Sequence, residues 1–209
     1  MIIDNLQEKL QRIKEHQLAM KDFGYFAREV LGFTKNEDLK MLDLTPDHDE
    51  LCEFINKRTN QLILMPRGTF KSWLVTVGVT LWEMVKDPNI RILIYSDSAT
   101  KATGFLVGIK SHIEGMAPNS KFAEWYPGWG SDAKSGKWNE NEIIISKRDY
   151  DVIEPTVDTG GIESTKVGKH YDLIIFDDFV SDQNVTTKAE MDKVHDCYKK
   201  ALSLLMPKG

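Results

Sequence analysis

The sequence is short of several things, and each shortage excludes a class of protein. It has two cysteines in 209 residues, Cys52 and Cys197, with no CxxC spacing and no Cys/His cluster near either. A disulfide framework is excluded, and the default is two buried thiols in a reducing compartment. No apolar run approaches the ~20 residues of a membrane span, and the N-terminus lacks the pattern of a signal peptide. An excess of positive charge is also missing. Lys and Arg number 27 against 32 Asp and Glu, for a net charge of −5. This argues against a generic nucleic-acid coat, yet leaves room for DNA contact through a local basic patch. Internal repeats and low-complexity segments are absent.

What remains is ordinary for a globular protein: 41% hydrophobic and 28% charged residues. The length suits one large domain, or one domain with a small appendage. Residues 2–19 read as an amphipathic helix, with Ile3, Leu6, Leu10 and Ile13 at three- and four-residue steps, expected to dock on the protein's own body, with a partner-binding arm as the alternative. A second helical segment carries Phe23, Phe26, Ala27, Val30 and Leu31 and closes at Gly32. A polar stretch, 33–46, precedes a helix from Asp47. Apolar strands are expected at 61–65, 91–95, 143–145, 152–153 and 172–176, with helices over 71–86, 98–114 and around Met191–Leu205. This alternation predicts an α/β fold: a mostly parallel β-sheet with helices on both faces, and ligands at the carboxyl ends of the strands. The division expected is a helical N-terminal appendage, 1–44, and a main domain, 45–209.

Two strand ends carry the chemistry. The first is Gln61–Val75, QLILMPRGTFKSWLV. An apolar run meets Pro66, a short loop Arg67-Gly68-Thr69-Phe70 follows, and Lys71-Ser72 open a helix. A strand, tight loop and helix start aim backbone N–H groups and a positive helix end at one point, a cradle for phosphate. Lys71 there is expected to bind phosphate, and Ser72 is placed to hold Mg²⁺. The spacing is that of a P-loop, but Met65 and Phe70 occupy the positions of its two glycines. With no Gly at 70, the loop is expected to keep an ordinary right-handed or extended backbone at that point. Arg67 adds a forked donor within the loop, either to sense the γ-phosphate and steady the transition state or to pair with a neighbouring carboxylate.

The second strand end is Leu173-Ile174-Ile175-Phe176-Asp177-Asp178. Two carboxylates closing a buried strand are costly unless a cation or water awaits them. In a P-loop NTPase the first, Asp177, helps hold Mg²⁺ and the second, Asp178, orients the attacking water. Together the two stretches point to ATP and Mg²⁺ as ligands of an ATP-hydrolysing P-loop fold of the kind that carries such a strand-end acid pair (ASCE type).

MPRGTFKS and HYDLIIFDD resemble the ATPase domain of the large terminase subunit of tailed bacteriophages, whose deviant P-loop carries Arg four residues before the Lys, as Arg67 and Lys71 do. FGYFAREVLGF at 23–33, HDELCEF at 48–54, RILIYSDSATKA at 91–102 and KWNENEIII at 137–145 are similar to the same family and occur in its order. The resemblance implies a motor that hydrolyses ATP to pump double-stranded DNA into a procapsid in the host cell cytoplasm. It works as a homo-oligomeric ring on the portal protein, with the small terminase subunit as partner and no membrane. Pro66, Arg67, Gly68, Thr69, Phe70, Lys71 and Ser72 would then take the triphosphate. His48 falls in the family's adenine-contacting region, or is a solvent-exposed residue at a helix start.

Asp178 stands where Glu is usual, which shortens the carboxylate's reach and implies slow hydrolysis or a base elsewhere. The family's next strand, its coupling motif and its nuclease domain would lie beyond Gly209, so a truncated ATPase domain without nuclease activity is expected. A basic residue reaching a neighbouring subunit is sought among Arg148, Lys166 and Lys169. Trp125, Tyr126, Trp129 and Trp138 either stack on nucleic acid or pack an irregular insertion. The rival functions are a helicase-like translocating NTPase and a nucleotide-binding assembly module without turnover.

Overall fold

A computed structural model describes residues 2–33 (side chains from Leu6), 45–57, 60–131, 137–149, 153–164, 166, 168–182 and 184–206. Among these, seven α-helices surround a four-stranded mixed sheet. The helices are α1 (Ile2–Lys21), α2 (Phe23–Tyr25, running on as a π-helical turn Phe26–Val30), α3 (Pro46–Asn56), α4 (Val79–Lys86), α5 (Ala99–Ile113), α6 (Phe122–Trp125) and α7 (Lys188–Ser203). The strands are β1 (Ile92–Ser96), β2 (Glu142–Ile143), β3 (Val157–Gly161) and β4 (Leu173–Phe176), in the order β2-β3-β1-β4. β1 runs parallel to both β3 and β4, and β2 pairs antiparallel with β3.

Side-chain alternation along the central strands builds two cores. Ile92, Ile94, Val157, Leu173 and Ile175 face a large core shared with residues of α2, α3, α4, α5 and α6. Leu93, Tyr95, Ile174 and Phe176 face a smaller one closed by Val194, Cys197 and Ala201 of α7. Helices thus cover both faces of the sheet. Phe23, Phe26, Ala27 and Val30 lie in the large core beside Leu74, Val77 and Leu81, so the N-terminal segment shares it. No helix among the described residues is long and apolar enough to cross a membrane.

Three expectations about elements need correction. α1 docks only by its C-terminal end, where Ala19 is buried and its carbonyl accepts a hydrogen bond from Trp82 Nε1 at 2.8 Å; Leu6, Leu10 and Ile13 remain exposed. β2 pairs with β3, in a stretch where no strand is expected from the sequence. Val157-Asp158-Thr159-Gly160-Gly161 is poor in strand formers, yet every residue of it is buried. Its glycines are there for contact. A Cβ on Gly161 would lie 2.4 Å from the Ala99 backbone nitrogen, and one on Gly160 2.7 Å from the Tyr95 ring. Residue 152 and the neighbouring 150–151 lie outside the described residues, as do 34–44 of the expected 33–46 loop.

Residues 61–65 keep the period of a strand without belonging to a ladder. Ile63 and Met65 turn to the large core, while Leu62 and Leu64 are 79% and 83% exposed. Among the described residues no strand pairs with the outer edge of β4. Leu173 and Asp177 donate their N–H groups to β1, at Arg91 O and Tyr95 O, so alternation turns those of Ile174 and Phe176 outward. Along that edge the described residues make one isolated parallel bridge, Tyr171 with Leu205.

Candidate nucleotide and metal site

The loop 66–70 takes its shape from two left-handed residues, only one of them a glycine. Gly68 has φ +80° and Phe70 φ +53°, so Phe70 adopts the left-handed conformation that a glycine normally supplies. The expected right-handed or extended backbone at 70 is therefore incorrect. The conformation costs an L-residue roughly 1–2 kcal/mol, and the neighbouring contacts hold it. Phe70 O accepts from Leu74 N–H at 3.0 Å, Thr69 O meets His48 Nε2 at 2.6 Å, and Thr69 Oγ1 donates to Pro66 O at 2.8 Å. Helical structure begins at Lys71, and a π-helical stretch, Trp73–Gly78, leads into α4. The first-turn N–H groups of such a helix have no intrahelical acceptor and are left to a ligand.

The loop after 61–65 and the end of β4 meet. Ser72 Oγ donates to Asp177 Oδ1 at 2.9 Å, across 105 residues of sequence. Lys71 Nζ lies 3.6 Å from Asp178 Oδ1. Asp177 is only 6% exposed, and among the described residues its Oδ2 makes no hydrogen bond of good geometry, the buried Thr76 hydroxyl being the nearest donor to the carboxylate besides Ser72. Desolvation raises its pKa and the Asp178 charge adds to that, against the Ser72 hydrogen bond, the Lys71 charge and the Thr76 hydroxyl. A buried carboxylate with one oxygen orphaned and a hydroxyl on the other fits a cation. Mg²⁺ characteristically takes one or two such protein oxygens and completes its shell with phosphate and water. Among the described residues no group of three or more His, Cys, Asp or Glu forms a metal cluster, which this mode of binding does not need. Asp178, exposed and at φ +45°, projects from the strand end toward Lys71.

Arg67 is exposed and, among the described residues, makes no ion pair. His48 is 4% exposed rather than on the surface, and both ring nitrogens are engaged: Nδ1 with Thr45 N–H at 3.0 Å and Nε2 with Thr69 O. Arg148, Lys166 and Lys169 are all occupied within the chain. Arg148 donates to Glu154 O at 2.6 Å, and the two lysines reach Asp158 at 2.7 Å each. The aromatic residues also pack inward. Tyr126 meets Phe122 and Trp129 at ring distances of 5.2 and 5.8 Å, and Trp138 Nε1 donates to Glu114.

One site-edge group went unread in the sequence. Asp97 follows β1 as Asp177 follows β4, and Lys101 Nζ donates to it at 2.6 Å. Burial opposes its charge, but Lys101, Ser98 and Ser181 outweigh that and hold its carboxyl below the usual range. RILIY-SD carries the same signal as LIIF-DD, an apolar strand ending in an acid, and was open to the same reading. No protein-family model matches the chain, and no curated protein matches it.

Proposed function

We propose that this chain is the ATPase domain of a viral DNA-packaging motor of the large-terminase type, binding ATP with Mg²⁺ at its deviant phosphate loop. The observation that carries the reading is the Ser72–Asp177 hydrogen bond. It joins a phosphate-loop hydroxyl to a strand-end carboxylate, the pair a P-loop enzyme uses for its metal. Mg²⁺ held by Ser72 and Asp177 would neutralise charge on the β- and γ-phosphates.

The protein's own groups divide the remaining work. Lys71 and the backbone N–H groups of 68–72 bind the triphosphate. Lys71 is paired with Asp178 beforehand, so arriving phosphate competes for the ammonium and releases the Asp178 carboxylate to orient water. Arg67, without an ion pair of its own among the described residues, is free to reach the γ-phosphate. The internal pairing of Arg148, Lys166 and Lys169 argues against any of them serving a neighbouring subunit. In this reading the working form is a ring on the portal, with double-stranded DNA as the cargo and the small terminase subunit as a partner.

MgATP affinity and phosphate release, measured for the chain and for Lys71→Ala and Asp178→Asn, test the assignment. Lys71→Ala should abolish binding, whereas Asp178→Asn should keep binding and lose release. If the unaltered chain shows no Mg²⁺-dependent affinity, or Lys71→Ala costs none, the phosphate-loop assignment is wrong.

A further inference from the structure

His48 stands where a helix cap and the phosphate loop meet, and its two nitrogens face groups of fixed polarity. Thr45 N–H can only donate, so Nδ1, 3.0 Å away, carries a lone pair. Thr69 C=O can only accept, so Nε2, 2.6 Å away, carries the proton. The Thr45 hydroxyl, 2.9 Å from Nδ1, is able to donate to the same lone pair. One neutral tautomer satisfies all three contacts. At the third helical position of α3 the ring also replaces the Glu or Gln that usually reaches back to the cap N–H.

The consequence lies one peptide further on. Every peptide in the described chain is trans, so the C=O of Thr69 and the N–H of Phe70 point in opposite directions. With the carbonyl aimed at His48, the Phe70 N–H is turned away from α3. Flipping that peptide would let Phe70 leave φ +53° for a relaxed conformation. It would also break the His48 bond and reverse the N–H.

We propose that His48 is a positioning residue: through the Thr69 carbonyl it holds the 69–70 peptide of the phosphate loop in its strained orientation, so that the Phe70 N–H is presented to phosphate. This rests on the nucleotide reading above. A buried helix-start imidazole thereby does what the glycine at position 70 does in loops that have one.

Two substitutions divide the ring. His48→Asn keeps an acceptor near the Nδ1 position for Thr45 but no longer reaches Thr69. His48→Gln places a donor near the Nε2 position and gives up the Thr45 contact. The expected result is that His48→Asn moves the Phe70 amide resonance and raises the MgATP dissociation constant about tenfold, the factor that one hydrogen bond of ~1.4 kcal/mol represents. His48→Gln should leave the Phe70 amide close to its original shift and the affinity within about threefold. Nitrogen-15 spectra of the unaltered imidazole should show Nδ1 bare and Nε2 protonated. The proposal is overturned if the ring is protonated at Nδ1, if His48→Asn leaves the Phe70 amide unmoved, or if His48→Gln disturbs that amide as much as His48→Asn does. Should the unaltered chain bind no MgATP, the nucleotide reading fails by itself, and the ring tautomer and the Phe70 amide still decide the role of His48.

Discussion

The left-handed Phe70 makes a prediction whose sign, not only its size, is fixed by the backbone. At an ordinary helix or strand position, Ala is more stable than Gly by roughly 0.5–1 kcal/mol, because Gly has more freedom to lose. At φ +53° the order reverses. Ala retains a strain of roughly 1–2 kcal/mol that Gly lacks. Subtracting the entropy term leaves Phe70→Gly more stable than Phe70→Ala by about 1 kcal/mol. Both variants lose the half-buried ring, which is worth about 1 kcal/mol at half the value of a fully buried Phe. Phe70→Gly should therefore come out within about 1 kcal/mol of the unaltered chain, and Phe70→Ala about 1 kcal/mol below it. Urea unfolding followed by the fluorescence of the five tryptophans measures all three proteins. MgATP affinity of Phe70→Gly should stay within about threefold, since the N–H is retained. If Phe70→Ala proves as stable as Phe70→Gly or more so, the loop does not hold Phe70 left-handed in solution and the argument collapses.

Other outcomes follow from the packing and the charges. Gly161→Ala drives a Cβ into the backbone at the start of α5, 2.4 Å from Ala99 N, and should cost about 2–3 kcal/mol in the same unfolding assay. Asp158 is 1% exposed and takes hydrogen bonds from Lys166, Lys169 and Tyr171; burial works against its charge, but those donors hold its carboxyl below the ordinary range. Asp158→Ala should cost about 3–5 kcal/mol by leaving Lys166 without its carboxylate and Lys169 with only Glu142, 3.4 Å away. In the unaltered chain this contribution is present above the unfolded carboxylate pKa and fades as pH falls through the depressed folded value. Asp177 has the opposite sign. Its folded pKa is raised by burial, so the stability linked to its protonation is complete below the unfolded pKa and lost as pH rises through the folded one. Asp177→Asn, which keeps an acceptor for Ser72, should raise the melting temperature at neutral pH without nucleotide and remove the Mg²⁺ dependence of ATP binding. A fall in melting temperature would contradict the desolvation account.

At the centre of the sheet the structure follows the apolar periodicity of the sequence. RILIY and LIIF become the paired strands β1 and β4, and the apolar faces of α5 and α7 enter the two cores. The meeting of Ser72 with Asp177 was legible too, because a loop-and-helix signal and a strand-end acid signal each fixed one partner. β3 was hidden because Asp158, Gly160 and Gly161 are chosen for an ion cluster and close backbone approach, not for strand propensity. The conformation of Phe70 was hidden for a related reason. Propensity places Phe at ordinary dihedrals, and only the contact between Thr69 and His48, 21 residues apart, reveals what holds it elsewhere. α1 shows the converse: its periodicity is real, yet the stripe Leu6, Leu10 and Ile13 finds no core to enter.

The open flank of the sheet bears on how the molecule behaves in a tube. Among the described residues the outward amides of Ile174 and Phe176 have no backbone partner, and Leu62 and Leu64 stand nearly bare. Such a rim is a template for any extended chain that meets it, including another copy's rim. Self-association through it would stabilise the folded protein by mass action, and melting temperatures would climb with protein concentration. Unfolding midpoints for the variants above are therefore comparable only when taken across a dilution series and extrapolated to the isolated chain.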